Sequence, residues 1–248
     1  DLSLDETLIG DASEKLSSEI KEIALSSGAD LVGVVAASVI DSFPEIFVGW
    51  TIQAYTKKAT DTMPDARSIV VVGVHIWDDM LELAVKKGEE WLYPGYFLLD
   101  APRLAVTNHL RSRGFKTARA TMISHKRLAQ LAGFGNYGKN ALIVNPTLGP
   151  WIRLAAVITD AEITPDSPFE ADMCVDCEEC IKACPVGALA PYCVDDKKCL
   201  VGVHLIGAKA LKDEAALRKY EPSFTRSSHL MCVQCQKACK YGSEKHSS

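Results

Sequence analysis

The sequence predicts an α+β body followed by a cysteine-rich metal domain, and three observations carry that prediction. Apolar residues recur at helical spacing in some segments and gather in short β-branched runs in others. All nine cysteines fall between Cys174 and Cys239, after a body that has none. A connector rich in proline and acid, residues 161–172, separates the two parts. The body is therefore placed at residues 1–165 and the tail at residues 166–248.

The 248 residues are 48% hydrophobic and 24% charged, enough apolar material for an ordinary globular core. Ala12 to Leu25 has helical spacing and ends at Ser26-Ser27-Gly28. Ala29 to Ala36 reads as a short buried strand, and Ser68 to Ile76 as the clearest strand in the chain. Residues 40–66 are mixed, with Pro44 and Pro64 as breakers. Helices are expected over Asp78 to Gly88, Leu98 to Arg113 (closed by Gly114) and Ile123 to Ala132 (closed by Gly133). Strands are expected over Lys116 to Ala120, Ala141 to Val144 and the β-branched Ile152 to Thr159.

Composition also excludes. A formal net charge of −5 and the lack of a Lys/Arg run argue against a nucleic-acid or anionic-membrane partner. No apolar stretch reaches the ~18 residues of a membrane helix. Residues 1–20 are polar and helical rather than a secretory signal. A cytoplasmic location follows, with a trimmed export signal as the alternative because the chain starts at Asp1 without Met. Disulfide scaffolds belong to short secreted chains, so a thiol-dense tail on a thiol-free body reads as a metal domain.

Cys174-x2-Cys177-x2-Cys180-x3-Cys184-Pro185 has the spacing of the bacterial ferredoxin run. Three thiolates converge on one cubane, the loop amides point at its sulfurs, and the fourth cysteine turns toward a second cluster. Pro185 sits where a helix start needs no N–H donor. Cys232-x2-Cys235-x3-Cys239 repeats the last three cysteines of that run, and Cys199 or Cys193 upstream must supply its missing ligand. With the crossover of two-cluster ferredoxins, cluster one takes Cys174, Cys177, Cys180 and Cys239. Cluster two takes Cys184, Cys199, Cys232 and Cys235, which leaves Cys193 spare. Lys240 stands where the second run would carry proline. A zinc site explains one CxxC pair but not CxxCxxCxxxCP; a single cluster beside an empty second motif is the closer competitor.

Gly133-Phe-Gly135-Asn136-Tyr137-Gly138-Lys139-Asn140 contains GxGxxG and lies one residue from a P-loop. Both phosphate motifs need a strand before the loop and a helix after it. Here a helix precedes and a strand follows, and Asn140 replaces the metal-binding hydroxyl, so nucleotide binding is rejected. Two readings stay open: a glycine helix cap with a tight turn, or a backbone that lies close against a large flat ligand.

These residues resemble a family. Leu128 to Asn140 is similar to the AGLGWIGKN segment of epoxyqueuosine reductases, cobalamin-dependent iron–sulfur enzymes related to corrinoid reductive dehalogenases. The resemblance continues through Pro146-x-x-Gly149, Thr159-Asp160 and the CxxCxxCxxxCP run. Pro191-Tyr192 to Cys199 resembles PYxLDARRC, Cys232 to Cys239 resembles CxxCQxxCP, and Pro64 to Val72 resembles the first long strand. It covers residues 64–76 and about 100–240, and it makes Cys199 the second-cluster ligand. It implies a nitroreductase-like body holding cobalamin beside a bacterial two-cluster ferredoxin-like domain. Gly133, Gly135, Asn136, Tyr137, Gly138, Lys139 and Asn140 would line the corrinoid, and single electrons would pass through both clusters to cobalt. Two departures stand out. Ala105-Val106-Thr107 occupies the family's Asp-Tyr-His position, and no C-terminal helical extension follows Cys239, so a shorter paralogue is expected.

Further candidates are His125 as a corrinoid contact, Arg153 as a phosphate or propionamide contact, and Tyr93, Tyr96 or Tyr137 as proton donors, Tyr137 foremost because it lies in the loop. Glu162, Asp166, Glu170, Asp172, Asp176, Glu178 and Glu179 form an acidic stretch beside the clusters, usually a solvated face but suited to docking a basic donor. Two functions follow: a corrinoid-dependent reductase acting on a small molecule, or a ferredoxin-type carrier serving a cofactor on a partner. Flavin is the weaker alternative cofactor. The expected partner is a low-potential donor of the ferredoxin or flavodoxin type, and oligomerisation is left open.

Overall fold

The structure, a computed structural model, describes residues 2–48, 54–201 and 214–243. In chain order the body runs α1 (Leu2–Ser26), β1 (Leu31–Ala36), α2 (Ala37–Asp41), β2 (Phe47–Val48), β3 (Ala54–Tyr55), α3 (Ala59–Thr62), β4 (Ser68–His75), β5 (Leu83–Lys87) and β6 (Glu90–Leu92). It continues with α4 (Asp100–Ser112), β7 (Thr117–Arg119), α5 (His125–Leu131), β8 (Asn136–Tyr137), β9 (Ile143–Val144) and β10 (Ile152–Thr159). The tail holds α6 (Glu179–Lys182), β11 (Leu189–Ala190), β12 (Cys193–Val194), α7 (Glu214–Tyr220), β13 (Ser223–Thr225), β14 (Ser228–Leu230) and α8 (Gln234–Lys237).

Ser68 to Val74 is buried at every residue, so both faces of β4 are covered. It lies inside an antiparallel sheet ordered β1-β4-β10-β7. Val70, Val72 and Val74 pack with Leu16, Ile20 and Ala24 of α1 and with Val106 and Leu110 of α4. Ile69 and Val71, on the other face, pack with Leu128, Ala129 and Leu131 of α5. Each such side chain, fully buried, contributes roughly 1.5–3 kcal/mol of transfer free energy. The α+β expectation holds, and the short α5 is pressed onto the sheet face that leads toward the tail.

The helix expected over Asp78 to Gly88 is corrected. A 3-10 turn spans Asp79–Glu82, and β5 then forms a hairpin with β6. Gly88, at φ +63°, makes the turn. The apolar Leu83-Ala84-Val85 run is equally compatible with helix, and a long-range partner decided it. That partner is β14, which pairs with β5 in a sheet ordered β13-β14-β5-β6. Tail and body therefore share a sheet.

The connector is strapped down as well. Asp166 accepts from the Val34 N–H at 2.8 Å and pairs with Lys21 at 2.6 Å. Its own N–H donates to Val34 O, and Phe169 N–H donates to Gln130 O. Gly149 (φ +61°) and Gly242 (φ +75°) press backbone to backbone, and a Cβ on Gly149 would lie 2.0 Å from Tyr241 O. Among the described residues no helix is long and apolar enough to cross a membrane.

Candidate metal centre

The loop before α6 is fixed by short polar links. Cys174 N–H donates to Asp172 Oδ1 at 2.8 Å, Tyr192 Oη donates to Asp172 Oδ2 at 2.9 Å, and Cys177 N–H donates to Cys174 O at 2.6 Å. Val175, between two cysteines, is held at φ +32°. Cys174, Cys177, Cys180 and Cys239 line one cavity, with Lys139 and Tyr241 also on its wall. Cys239 arrives from the far end of the tail because α8 packs against α6. Burial, then the neighbouring Cys174, Cys239 and Cys177, push the Cys180 thiol up to about 11.

A second group forms around Cys235, whose thiol is pushed up by burial and then by Cys199, Cys232 and Cys184. Cys232 rises to about 11, again chiefly through burial, with Glu221, Cys199 and Cys184 adding to it. Cys184, Cys199 and Cys232 thus lie near Cys235, with Cys180 also close, while Cys193 on β12 stays exposed. Thiols crowded and desolvated in this way cannot all ionise unless a cationic core offsets their charge. Among the described residues no three His, Cys, Asp or Glu side chains converge closely enough for a single metal ion. Four thiols on one cavity are a donor set that fits a cubane held at four corners. N–H donors face it already: Lys139 N–H to Cys174 Sγ at 3.4 Å and Ala188 N–H to Cys184 Sγ at 3.2 Å.

The glycine loop is a clasp between body and tail. Lys139, which is buried, donates from Nζ to Val175 O at 2.8 Å, and its carbonyl accepts from Tyr192 N–H. Asn136 Nδ2 reaches Glu170 O and Ala171 O, each at 3.2 Å, and Asn140 Oδ1 accepts from Leu142 N–H. The glycines serve the protein's own backbone: a Cβ would meet Ser167 O at Gly133, Val144 O at Gly135 and the Val144 side chain at Gly138. Tyr137 stands apart, its hydroxyl pKa raised by burial and its ring 5.2 Å from the Arg127 guanidinium.

His125 opens α5 after the Ser124 cap, and burial lowers its pKa although its imidazole bonds to the Ala120 backbone. Arg153 pairs with buried Glu82 and lies over the Tyr96 ring at 5.4 Å. Tyr93 is pushed up to about 12, first by burial, then by Tyr96 and Glu221. The acidic stretch is partly spent on structure, through Arg67–Glu162, Lys21–Asp166 and Lys182–Glu179 pairs. Val106 is buried and Thr107 donates to Arg103 O, so no acid stands at that turn of α4. Sequence reasoning passed over Lys126. It is solvent-exposed yet desolvated enough to lower its pKa, with Cys235 acting on its charge, and Nζ donates to Ala141 O at 2.6 Å. A cation in the first turn of a helix opposes the dipole, and that misfit was the available signal.

A family model described as a 4Fe-4S binding domain matches residues 168–190. The epoxyqueuosine reductase of Bacillus subtilis (strain 168) is 27% identical over 212 residues, which cover 75% of this chain and 55% of that protein. The chain thus spans little more than half the length of that relative. A crystal structure of epoxyqueuosine reductase with an epoxyqueuosine-modified tRNA-Tyr stem loop superposes with a TM-score of 0.70 at 22% identity, covering 94% of this chain and 67% of that one. A catabolic reductive dehalogenase in complex with 3-bromo-4-hydroxybenzoic acid gives 0.62 at 19% identity, covering 95% of this chain and 33% of that one. The tRNA complex corrects the expectation that nucleic acid plays no part: net charge summed over a whole chain says nothing of a local basic surface. By sequence and fold, this chain is a homologue of proteins named epoxyqueuosine reductase, it has structural neighbours among both those enzymes and reductive dehalogenases, and it carries a 4Fe–4S binding domain.

Proposed function

We propose that this chain is an iron–sulfur oxidoreductase that carries electrons through two [4Fe–4S] clusters to a corrinoid held by its body. Cluster one would sit on Cys174, Cys177, Cys180 and Cys239, and cluster two on Cys184, Cys199, Cys232 and Cys235. The observation behind this is the closure of Cys239 onto the Cys174 loop, which puts four thiols around one cavity. The bacterial run supplies its fourth ligand to the other cluster, and this pairing has that form.

A corrinoid, when bound, supplies a cobalt centre for one-electron reduction. Lys126 on α5 is exposed, and the Cys235 thiol acts on its charge. Lys126 would place positive charge near the Cys235 ligand of cluster two. Neutral His125 would orient without adding charge, and Tyr137 would hold a proton on its hydroxyl at neutral pH. Lys139 fixes the cluster-one loop through Val175 O.

One observation favours the carrier reading instead. The loop that the resemblance gives to the corrinoid spends its glycines, Asn136 and Lys139 on the protein itself. An anaerobic preparation decides between the two: corrinoid absorption above the iron–sulfur shoulder supports the reductase, and clusters without extractable corrinoid support the carrier. Zinc in place of iron overturns both.

A further inference from the structure

A second cavity opens beside the start of α5, where Ser124 and Arg127 line it. Its apolar walls are Ile40, Phe43, Ile46 and Ile123, and its charged residues are Lys57, Lys58, Arg127 and Glu45. Three cations against one carboxylate invert the sign of a chain whose net charge is −5. None of the three cations has a carboxylate partner among the described residues. Lys57 and Lys58 are exposed at its rim and Arg127 is half-buried within it, so the recess presents a locally positive mouth to an anion.

Arg127 is built in rather than draped over the surface. Its guanidinium lies 4.8 Å from the Phe43 ring centroid and 5.2 Å from that of Tyr137. One nitrogen donates to Gln130 Oε1 at 3.4 Å, so most of its donors remain for a ligand. Two rings fix the plane of a guanidinium, and a fixed plane suits bidentate capture of a carboxylate or phosphate. The frame is tied together: Lys57 N–H donates to Met122 O at 2.8 Å, Thr56 N–H to Ile46 O at 2.9 Å, and Ile46 N–H to Thr56 Oγ1 at 3.1 Å.

We infer that this cavity binds an aromatic anion, with its carboxylate or phosphate on Arg127, Lys57 and Lys58 and its ring against Phe43 and the three isoleucines. Naming that anion as the substrate rests on the reductase reading above; the binding itself does not. The test is calorimetric titration of the anaerobically purified full chain with phenyl phosphate, benzoate, phenol and inorganic phosphate. At least one aromatic anion binds, phenol does not, and inorganic phosphate binds roughly tenfold more weakly for want of ring contacts. The phenyl phosphate and benzoate arms tell which head group is preferred. Arg127→Gln weakens binding by roughly tenfold or more, Arg127→Lys recovers part of it, and Glu45→Gln tightens it. Phenol binding as tightly as both anions, neither anion binding, or Arg127→Gln leaving affinity unchanged in a protein of native iron content would each overturn the inference. Iron and corrinoid are measured on the same preparation, so anion binding without them refutes the reductase and leaves this site standing.

Discussion

At the scale of single residues the account rests on which thiols matter and which does not. Cys239 lies far along the chain from Cys174 but on the same cavity wall, whereas Cys193 is exposed on β12. Cys239→Ser should therefore lower bound iron by about four atoms per chain although CxxCxxC is intact, while Cys193→Ser leaves iron unchanged; metal analysis of the two variants checks this. A pH effect belongs here too. Burial lowers the His125 pKa below 6.5, so the unfolded chain takes up the proton first as pH falls. The stability from keeping His125 neutral is present above pH 6.5 and is lost as pH falls below that value toward the folded pKa. Melting curves at pH 7.5 and 5.5 should show a smaller fall for His125→Gln than for the parent.

At the scale of elements the prediction concerns how the tail is fastened. Gly149→Ala drives a Cβ into Tyr241 O, with no flexible atom to yield, and should cost about 3 kcal/mol or more. Gly28→Ala is the control. Its φ of +100° is strained, but nothing lies within 4 Å, so the loss should be about 1–2 kcal/mol. Thermal melts and protease sensitivity of the tail would rank the two. The sequence showed β4 plainly, because residues buried on both faces read as a nearly continuous β-branched run, and β10 through its β-branched end Val157-Ile158-Thr159. It showed the end of α1 through Gly28 and the start of α5 within two residues. It concealed β5, since Leu83-Ala84-Val85 carries no period of its own and owes its conformation to β14, more than a hundred residues away. The Cys174-to-Pro185 run was legible because ligand spacing is a local chemical requirement, and a 4Fe–4S domain model matches it. The glycine loop was legible as a turn but not as a clasp, because its partners, Val175 and Tyr192, lie in the tail.

At the scale of the whole molecule, body and tail are joined by the shared β5–β14 sheet, the connector on β1, the Gly149–Gly242 contact and Lys139 on the cluster-one loop. Such fastening suits a wire whose two thiol groups must keep a fixed distance from whatever the body holds. Lys126 marks the side of the body that faces the second group. Lys126→Gln should lower the reduction potential of that group, because removing a nearby positive charge disfavours adding an electron; a redox titration followed by electron paramagnetic resonance reads the shift, and an unchanged potential would remove Lys126 from the path. The most direct test of the central claim is iron and acid-labile sulfide per chain in anaerobically purified protein. About eight of each, with two reducible clusters, is the predicted result; about four of each, or stoichiometric zinc, would contradict it.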